Sequence, residues 1–547
     1  MTVHDKGIQQ PSPTTVHPKA WTPGNLLLML VLGVLGAAVG IQMLATLGIT
    51  PNTSLIGALA AMALARIPLR IFRGYRSIHA QNLAQTSISA ATFGAANCLF
   101  LPIGIPYLFG RPDMVLPMLA GVTAAMLLDG WLLYRLFGSR AFSANNAWPI
   151  GVASAEAIRA GDEGGRQAVL LLGGTAAGVA GALAGLPMSA LGVALIGGFA
   201  AMTAFAVGLL ARGYSMPLFE LDIAALYIPH GMMIGAGLVA LVQVGHALLS
   251  RRRTTASASA LRNEDGEDGV AASPSQPWKP GRTLRYGAMG YLLIAVFLAF
   301  ATGVHAQMSA GMLLGFVAYA ALAAFVHELI VGIAAMHSGW FPAFAVALIS
   351  LSIGIMIGFP PEALVVLVGF SAATGPAFAD MGYDLKAGHL LRGRRPELDP
   401  FELEGRRQQW FSGLIGFGAA FAVVAVSHSV LFEAGYNAPI NAAYVAAIEA
   451  GISSGVAGSL AVWAVPGALL QLAGGSGRQI GVLFATGLLI PNPAAGWMVA
   501  VGLLLRVVLQ RGRAGRWKRE TEVVAGGVIA GDALTGFAIG AGRNLMR

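Results

Sequence analysis

The sequence SAGMLLGFVAYAALAAFVHELIVGIAAM, residues 309–336, decides the fold class. It contains only two adjacent ionisable side chains, His327 and Glu328. About 20 consecutive apolar residues are enough for an α-helix to cross the hydrocarbon core of a bilayer. The segment is longer than that, and it therefore predicts a transmembrane helix.

The same character extends over all 547 residues. Apolar residues make up 56% of the chain and charged residues 11%, whereas about 25% are charged in an ordinary soluble domain. The 73 glycines suit helices that pack backbone to backbone in lipid. We predict an all-α, polytopic integral membrane bundle and exclude a soluble multidomain enzyme. One cysteine, Cys98, excludes an internal disulfide and a thiolate cluster, and we expect no metal or cofactor.

Similar apolar runs recur on both sides of the opening segment. They lie at residues 25–48, 52–72, 83–109, 114–137, 167–187, 188–211, 222–249, 286–306, 340–359, 361–380, 411–432, 440–472, 494–510 and 523–541. Two stretches, 149–160 and 479–491, are short and interrupted by Gly or Pro, as is typical of unwound or re-entrant elements in transporters. Counting every segment gives seventeen crossings, and we expect about 16 true transmembrane segments.

The chain divides into four regions. A polar tail covers residues 1–24, and a first transmembrane half covers residues 25–249. Residues 250–283 are rich in Ser, Pro and charge, which predicts a flexible linker. A second transmembrane half covers residues 284–547.

The net charge of +9 comes mainly from five basic clusters at the ends of apolar runs. The clusters lie within residues 66–76, 135–140, 251–285, 386–407 and 506–519. In the seventeen-crossing count all five are on the side of the N-terminus, which the positive-inside rule assigns to the cytoplasm. We therefore predict a protein of the cytoplasmic membrane with a cytoplasmic N-terminus and linker. Since all five clusters sit at or just beyond the ends of apolar runs, as retention on the cytoplasmic side explains, no nucleic-acid partner is expected.

Weak echoes relate the two halves. Ser89–Thr92 (SAAT) recurs at residues 371–374 with an offset of 282, and the Gly-rich residues 231–237 are mirrored by residues 536–542 with an offset of 305. A duplication would give two similar bundles with a binding site between them near the midplane. Like-oriented halves need an even number of crossings, which seventeen does not satisfy.

Polar side chains within apolar runs are candidates for function, because they are costly in lipid unless they face the bundle interior. Gln81, Asn82 and Gln85 open one run, with Gln81 and Gln85 on one helical face. Their amides match the peptide-like groups of a substrate. Hydrogen bonds that join two helices are the alternative.

Glu156 lies in the short segment 149–160, where a lone carboxylate can take up a proton or bind a substrate amine. A local pair with Arg159 at i+3 is the alternative. Asp222 and His230 lie eight residues apart near one face of a later run, and Asp129, Glu449 and Asp532 complete this set.

His327 and Glu328 form an adjacent pair that could relay protons, because burial moves the affinity of both groups for a proton. An interhelical hydrogen bond is the alternative. The string HELIV resembles a zinc-protease helix, but Val331 occupies the position of the second histidine ligand. An integral-membrane enzyme that uses His327 and Glu328 is therefore a distant alternative.

Several of these stretches resemble signature regions of the oligopeptide transporter (OPT) family, which includes the yellow stripe-like metal-chelate carriers. They include Gln81-Asn82 with Gln85-Thr86, residues 149–165, residues 228–235, residues 384–390, Gln408-Gln409, residues 487–491 and residues 527–532. The sequence departs from the family pattern at Ile150, where Glu is usual, and at Ala80, where an acidic residue is frequent.

The resemblance implies a carrier of about 16 spans that imports short peptides, or peptide-like metal chelates, together with protons by alternating access. The family motifs match Gln81, Asn82, Gln85, Glu156, Asp384, Lys386 and Asp532. Together with the pattern of polar residues, three roles are expected. Substrate binding is assigned to Gln81, Asn82, Gln85, Glu156, Asp222 and His230; proton coupling to Glu156, His327, Glu328 and Asp532; and gating to Asp384, Lys386 and His389, the last two in a cytoplasmic loop. Membrane lipid surrounds the carrier, and the sequence leaves a homo-oligomer open.

Overall fold

The computed structural model describes residues 16–47, 74, 76–139, 141–249, 280–339, 343–396, 398–451, 454–512 and 518–545. Over these residues the chain is helical and contains no β-strand. The predicted run 52–72 and most of the polar tail lie outside the described residues. So do residues 250–279 of the predicted linker, whereas residues 280–283 form the first turn of a helix.

Nine helices of the described residues belong to the first half. They are α1 (Pro23–Leu47), α2 (Ile78–Phe93), α3 (Leu101–Leu108), α4 (Val115–Leu136), α5 (Pro149–Glu163), α6 (Gly165–Leu183), α7 (Met188–Ile196), α8 (Phe199–Phe219) and α9 (Ile228–Leu249). A π-helical segment, Gly94–Phe100, joins α2 to α3 without a break, and a 3₁₀ turn, Pro112–Met114, precedes α4.

Eleven helices follow the linker among the described residues. They are α10 (Pro280–Ala301), α11 (Ala310–Ser338), α12 (Ala343–Ile357), α13 (Pro361–Ala373), α14 (Pro376–Leu391), α15 (Pro400–Glu433), α16 (Pro439–Ala450), α17 (Ser454–Arg478), α18 (Ile480–Leu489), α19 (Pro493–Gly512) and α20 (Lys518–Leu545). A 3₁₀ turn, Val304–Gln307, precedes α11.

Proline begins many of these helices, since its ring presets the helical φ and its missing N–H is not needed in the first turn. Helices α5 and α13 to α16 all start in this way. At α15 the carboxylate of Asp399 also accepts hydrogen bonds from the backbone N–H groups of Phe401 (2.9 Å) and Glu402 (3.2 Å). This N-cap sets the start of the longest helix close to the end of α14.

Ten helical segments of the described residues are long and apolar enough to cross a membrane. In two of them, Ile78–Leu108 and Pro361–Leu391, the most apolar stretch of 18 residues is entirely buried inside the bundle, whereas in Gly165–Leu183 it is only 17% buried. Four shorter apolar helices accompany the ten. The prediction of a polytopic helical membrane protein is confirmed; the total of about 16 stays a prediction.

The two doubtful segments are short helices. Helix α5 has 15 residues and α18 has 10, so at 1.5 Å per residue they extend only about 22 and 15 Å. Neither length covers a hydrocarbon core of about 30 Å. Both helices are largely buried, which suits elements that enter the bundle without crossing it.

Two helix pairs, each of which joins a helix of the first half to one of the second, pack through equivalent contacts. In the pair α6–α20, a Cβ added to Gly527 or Gly531 would meet the carbonyl oxygen of Leu171 or Thr175. In the pair α9–α17, a Cβ added to Gly231 or Gly235 would meet the carbonyl oxygen of Leu460 or Ala464.

Residues of α17 follow their counterparts in α6 by 289 positions, and residues of α20 follow their counterparts in α9 by 296 positions. These two offsets convert one set of contacts into the other. The echo at an offset of 305 was therefore out of register.

The two halves are inverted. The segments 78–108 and 361–391 contain the echo at offset 282, and they run antiparallel, because Gln85 contacts Asp384 whereas Ser89 contacts Asp380. The like-oriented arrangement, which would require an even number of crossings, is therefore not the one that these segments adopt. In an inverted repeat a segment and its counterpart point in opposite directions across the membrane, so an even number of crossings lies between them.

Candidate functional site

Two buried carboxyl groups lie where α2 crosses α14. Asp380 and Asp384 are four residues apart on α14, which places them on one helical face, and each is at most 1% exposed. Gln85 Nε2 donates to Asp384 Oδ1 (2.5 Å), and the Ser89 hydroxyl donates to Asp380 Oδ1. We call these four residues the carboxyl crossing.

The second oxygen of each carboxyl group, Oδ2 of Asp380 and of Asp384, accepts no hydrogen bond from any described residue. Two carboxylates so close in a buried site repel each other, and neither has an ion-pair partner among the described residues. A buried carboxyl group without a counter-charge is costly in its ionised form. The crossing is therefore suited to hold and release a proton.

Amide groups extend the carboxyl crossing towards α15. Asn82 Nδ2 donates to Gln85 Oε1 (2.7 Å), and Gln409 Nε2 donates to the Asp384 carbonyl (2.6 Å). Gln81 is also buried on α2, at 3% exposure. In this conformation Asn82 is hydrogen-bonded to Gln85, and Gln85 is hydrogen-bonded to α14. Hydrogen bonds that join two helices are the alternative that the sequence left open for these amides.

A second buried carboxyl pair joins α4, α10 and α11. Asp129 Oδ1 accepts from the Tyr291 hydroxyl (2.5 Å), and its Oδ2 accepts from the backbone N–H of Gly375 (2.6 Å). Glu328, fully buried, interacts with the Asp129 carboxyl and the Tyr291 phenol. The expected neighbour of Glu328 was His327, but its observed partners come from other helices.

His327 points towards different groups. Its Nε2 lies 2.7 Å from the Ala343 carbonyl oxygen and its Nδ1 lies 3.2 Å from the Thr374 hydroxyl. Both ring nitrogens are therefore used in interhelical hydrogen bonds. This arrangement corresponds to the structural alternative for His327.

Glu156 is buried but paired. Its Oε1 lies 2.7 Å from Arg159 Nη1, one helical turn further along α5, and Arg159 also donates to the Leu390 carbonyl at the end of α14. The local pair that the sequence offered as an alternative is thus formed. It connects α5 with α14.

Three other sequence candidates lie outside these clusters. Asp222 is in an exposed turn, where it accepts from the N–H groups of Ala224 (3.0 Å) and Ala225 (3.2 Å). These hydrogen bonds, first that from Ala225 and then that from Ala224, lower the pKa of Asp222. His230 stacks near Tyr227 at 5.7 Å between ring centroids, and Asp532 accepts from the Ser189 N–H (2.8 Å).

The residues expected in a cytoplasmic loop lie instead in helix α14. Lys386 is 6% exposed and its Nζ donates to the carbonyls of Ala144 (2.7 Å) and Asn146 (3.0 Å). His389 Nδ1 lies 3.4 Å from Glu402 Oε1. The loop assignment is wrong because α14 continues to Leu391, past the end of the apolar run.

A buried ion pair ties the end of α14 to α15. Arg392 donates from Nε to Glu402 Oε2 (2.7 Å), from Nη2 to Glu402 Oε1 (2.9 Å) and from Nη1 to Gln409 Oε1 (2.8 Å). Gly388 and Gly405 leave room for it, since a Cβ on either would collide with this group. We call Arg392, Glu402 and Gln409 the latch.

The N-terminal segment packs against the same end. His17 lies 5.2 Å from His79 and 5.3 Å from Phe401 between ring centroids, and the N–H of Ala20 donates to Gln408 Oε1 (2.8 Å). Burial first, and then the charge of Arg392, lower the pKa of His17 from 6.5 to about 4. His17 is therefore neutral at physiological pH.

Sequence reasoning missed Asp380, Ser89 and Tyr291. Asp380 is the last residue of an apolar run, but its i, i+4 spacing from Asp384 is a signal that could have found it. Ser89 lies in the echoed SAAT string, and Tyr291 carries no such signal. Within the described residues, no group of three or more His, Cys, Asp or Glu side chains is arranged to hold a metal ion.

Comparison with known proteins gives one family. The family described as OPT oligopeptide transporter protein matches residues 20–250 and residues 223–541. The two matches together cover nearly the whole chain, including the carboxyl crossing, the latch and both halves of the repeat. A search of curated proteins finds no match.

Proposed function

Since this chain belongs to the OPT oligopeptide transporter family, we propose that it is a secondary transporter that carries short peptides across the cytoplasmic membrane together with protons. The proposal includes alternating access, a cytoplasmic N-terminus and import as the direction of transport.

The carboxyl crossing carries the proposal of proton coupling. Asp380 and Asp384 are buried in a segment long enough to span the membrane, with one free oxygen each and no counter-charge among the described residues. A carboxyl group in this position must be protonated or gain a partner when its surroundings change. Because its partners Gln85 and Ser89 come from the other half, protonation is expected to change how tightly the two halves hold together.

Inverted repeats support alternating access. The two halves of such a carrier can exchange their conformations, so that a central site opens first to one side and then to the other. Here the antiparallel segments 78–108 and 361–391 cross inside the bundle, and a stretch of 18 residues in each is fully buried. A rearrangement of one against the other changes access from both sides.

Among the coupling residues expected from the sequence, Glu328 is the strongest second candidate, because its partners Asp129 and Tyr291 are also buried. Glu156 ranks lower because Arg159 neutralises it at 2.7 Å. His327 and Asp532 rank lower because both make hydrogen bonds that hold helices together. Asp222, in an exposed turn, is left out of the proposal.

Side-chain amides of this chain become available to the substrate when they exchange a hydrogen-bond partner within the protein for one on the substrate. Gln85 belongs to the carboxyl crossing, and Gln81 and Asn82 lie on the preceding turn of α2. Protonation of Asp384 would weaken its hydrogen bond from Gln85 Nε2 and leave that amide available. An amide binds the peptide groups of a substrate as donor and acceptor. This sequence of events links the proton to the substrate.

The direct test is uptake of labelled trialanine into proteoliposomes under an inward proton gradient. The wild type should accumulate the peptide, and Asp384→Asn and Asp380→Asn should lose accumulation while keeping exchange down a concentration gradient. Asp113→Asn is the matched control, because Asp113 is exposed and pairs with Arg111 at the surface. Gradient-driven accumulation by both crossing variants at wild-type levels would refute the coupling role.

Transport of a peptide-like metal chelate is the second candidate, favoured by the basic cavity described below. It predicts that uptake rises when a metal ion is supplied with its chelator, and that the chain restores growth to a mutant deficient in metal uptake. The enzyme alternative with His327 and Glu328 has no such support, because both nitrogens of His327 are held by hydrogen bonds.

A further inference from the structure

A cavity of about 200 Å³ lies between the two halves at the end of α14. Asn146 and Val152 of the first half line it, as do Lys386 and Arg506 of the second half. Its volume equals that of about six or seven waters in the liquid, which is enough for a carboxylate group and the adjoining part of a small molecule. The carboxyl crossing does not contribute to its wall.

Most of the charged side chains that line the cavity are cationic. Lys386, Arg394 and Arg506 line it together with one carboxylate, Glu522. Three cations against one anion in a partly enclosed site produce a positive potential that concentrates anions. The cavity therefore selects for negative charge in its ligand.

Two of the cations are held in place by backbone carbonyl groups. Lys386 Nζ donates to Ala144 and Asn146, and Arg506 Nη1 donates to the Gly197 carbonyl at the end of α7 (2.5 Å). Carbonyl groups fix the position of a cation but do not cancel its charge. Such preorganised charges bind an anion without a further ordering cost.

Another part of the cavity wall is apolar. Val152, Leu195 and Ile196 line it, and each is at most 9% exposed. A free inorganic anion has no use for such a surface, whereas an organic carboxylate places its charged end on the cations and its hydrocarbon part on the apolar wall. The combination indicates a small organic carboxylate.

Helix α14 connects this cavity to the carboxyl crossing. At 100° per residue, Lys386 lies about 120° from Asp380 and about 160° from Asp384 around the helix axis, so different sides of the helix meet α2 and the cavity. A shift of α14 that follows protonation of the carboxyl crossing also changes the cavity. The two sites are thus mechanically linked.

We propose that this cavity binds the free carboxylate of the transported molecule on the side of the basic clusters, with Lys386, Arg394 and Arg506 as its cationic contacts. The inference rests on the proposed transport function. The carboxylate can come from the C-terminus of a peptide or from a polycarboxylate metal chelate, and the two sources are separated by experiment.

The test compares binding of trialanine and of trialanine amide to the purified full chain, measured by thermophoresis in detergent. The wild type should bind the free acid about tenfold more tightly than the amide, since a charge-assisted hydrogen bond contributes about that factor. Arg506→Gln and Arg394→Gln should remove this preference by weakening binding of the acid alone. Arg394 is exposed, so its replacement leaves the packing intact.

Arg407→Gln is the matched control, because this arginine is 60% exposed in its side chain and lies outside the cavity. Ferric citrate is the second probe. Loss of its binding in the same two variants, with no preference between trialanine and its amide, assigns the cavity to chelates and supports the carboxylate site. Equal binding of acid and amide together with citrate binding that neither variant changes overturns it.

Failure of this inference and failure of the proposed function give different results. Proton-driven uptake of trialanine without any dependence on its carboxylate leaves the transport function standing and removes the cavity assignment. Carboxylate-dependent binding without peptide uptake by the same preparation leaves the cavity assignment standing and removes peptide transport.

Discussion

The latch offers the sharpest test of the packing between α14 and α15. Arg392 is 2% exposed and makes two hydrogen bonds to Glu402, at 2.7 and 2.9 Å, and one to Gln409, at 2.8 Å. Replacement by methionine keeps most of the side-chain volume but leaves the buried Glu402 carboxylate without its cation. The nearest remaining partner, His389, lies at 3.4 Å.

The expected loss of stability is about 3–5 kcal/mol, the range for breaking a buried ion pair at one partner. An exposed pair at the same end, Arg407 with Glu404 at 3.8 Å, should contribute less than about 1 kcal/mol. The double variant Arg392→Met with Glu402→Met should be more stable than Arg392→Met alone, because it removes the stranded charge as well as the cation.

The assay is thermal unfolding of the purified proteins in detergent, followed by tryptophan fluorescence and by the loss of the monodisperse peak in size-exclusion chromatography. Four proteins complete the cycle: wild type, both single variants and the double variant. Arg407→Met is the control. A midpoint for Arg392→Met equal to that of the control, or a double variant that loses the sum of the single effects, would refute the reasoning.

Three further predictions concern packing, the second carboxyl pair and the N-terminal segment. Gly531→Leu should abolish the monodisperse folded protein, because its side chain would collide with the Thr175 carbonyl, whereas Gly418→Leu should be tolerated because nothing lies within 4 Å of its added Cβ. Tyr291→Phe should lower stability by about 1–3 kcal/mol, as Asp129 loses a buried donor, and thermal unfolding against exposed Tyr286→Phe measures this. The lowered pKa of His17 means that its neutral form contributes to docking fully above pH 6.5 and loses about 3 kcal/mol as the pH falls to about 4. The protection of residues 16–22 against hydrogen exchange, corrected for the intrinsic exchange rate at each pH, should therefore decrease between pH 7 and pH 4 in the wild type and decrease less in His17→Phe.

The fold class and the polar residues of the centre could be predicted because both depend on local composition. An apolar run predicts a crossing whatever it packs against, and a polar residue within it predicts a functional or interhelical contact. Gln85 was found in this way, whereas Asp384, beyond the end of its apolar run, was found only through the resemblance to the family. Their partnership was not predicted, because it depends on how the halves pack.

For the same reason, contacts between residues close in the sequence could be predicted, whereas contacts between distant residues could not. The pairing of Glu156 with Arg159 follows from their i, i+3 spacing, and the structure contains it at 2.7 Å. Tyr291 meets Asp129 across 162 positions, and no periodicity connects them. The orientation of the halves was equally hidden, since an echo such as SAAT reads the same in a like-oriented and in an inverted repeat.

The inverted repeat has buried carboxyl groups at only one of its two crossings. At the offset of 282, the counterparts of Asp380 and Asp384 are Cys98 and Pro102, and the counterpart of Gln85 is Leu367. The second crossing, between α3 and α13, is accordingly apolar, and a Cβ on Gly369 there would lie 3.3 Å from the Pro102 carbonyl. Of these two crossings, only the carboxyl crossing has carboxylate hydrogen bonds that protonation would loosen. Two crossings of equal geometry therefore respond differently to a proton, and this difference would give the two conformations of the carrier unequal affinities for it, as coupling requires.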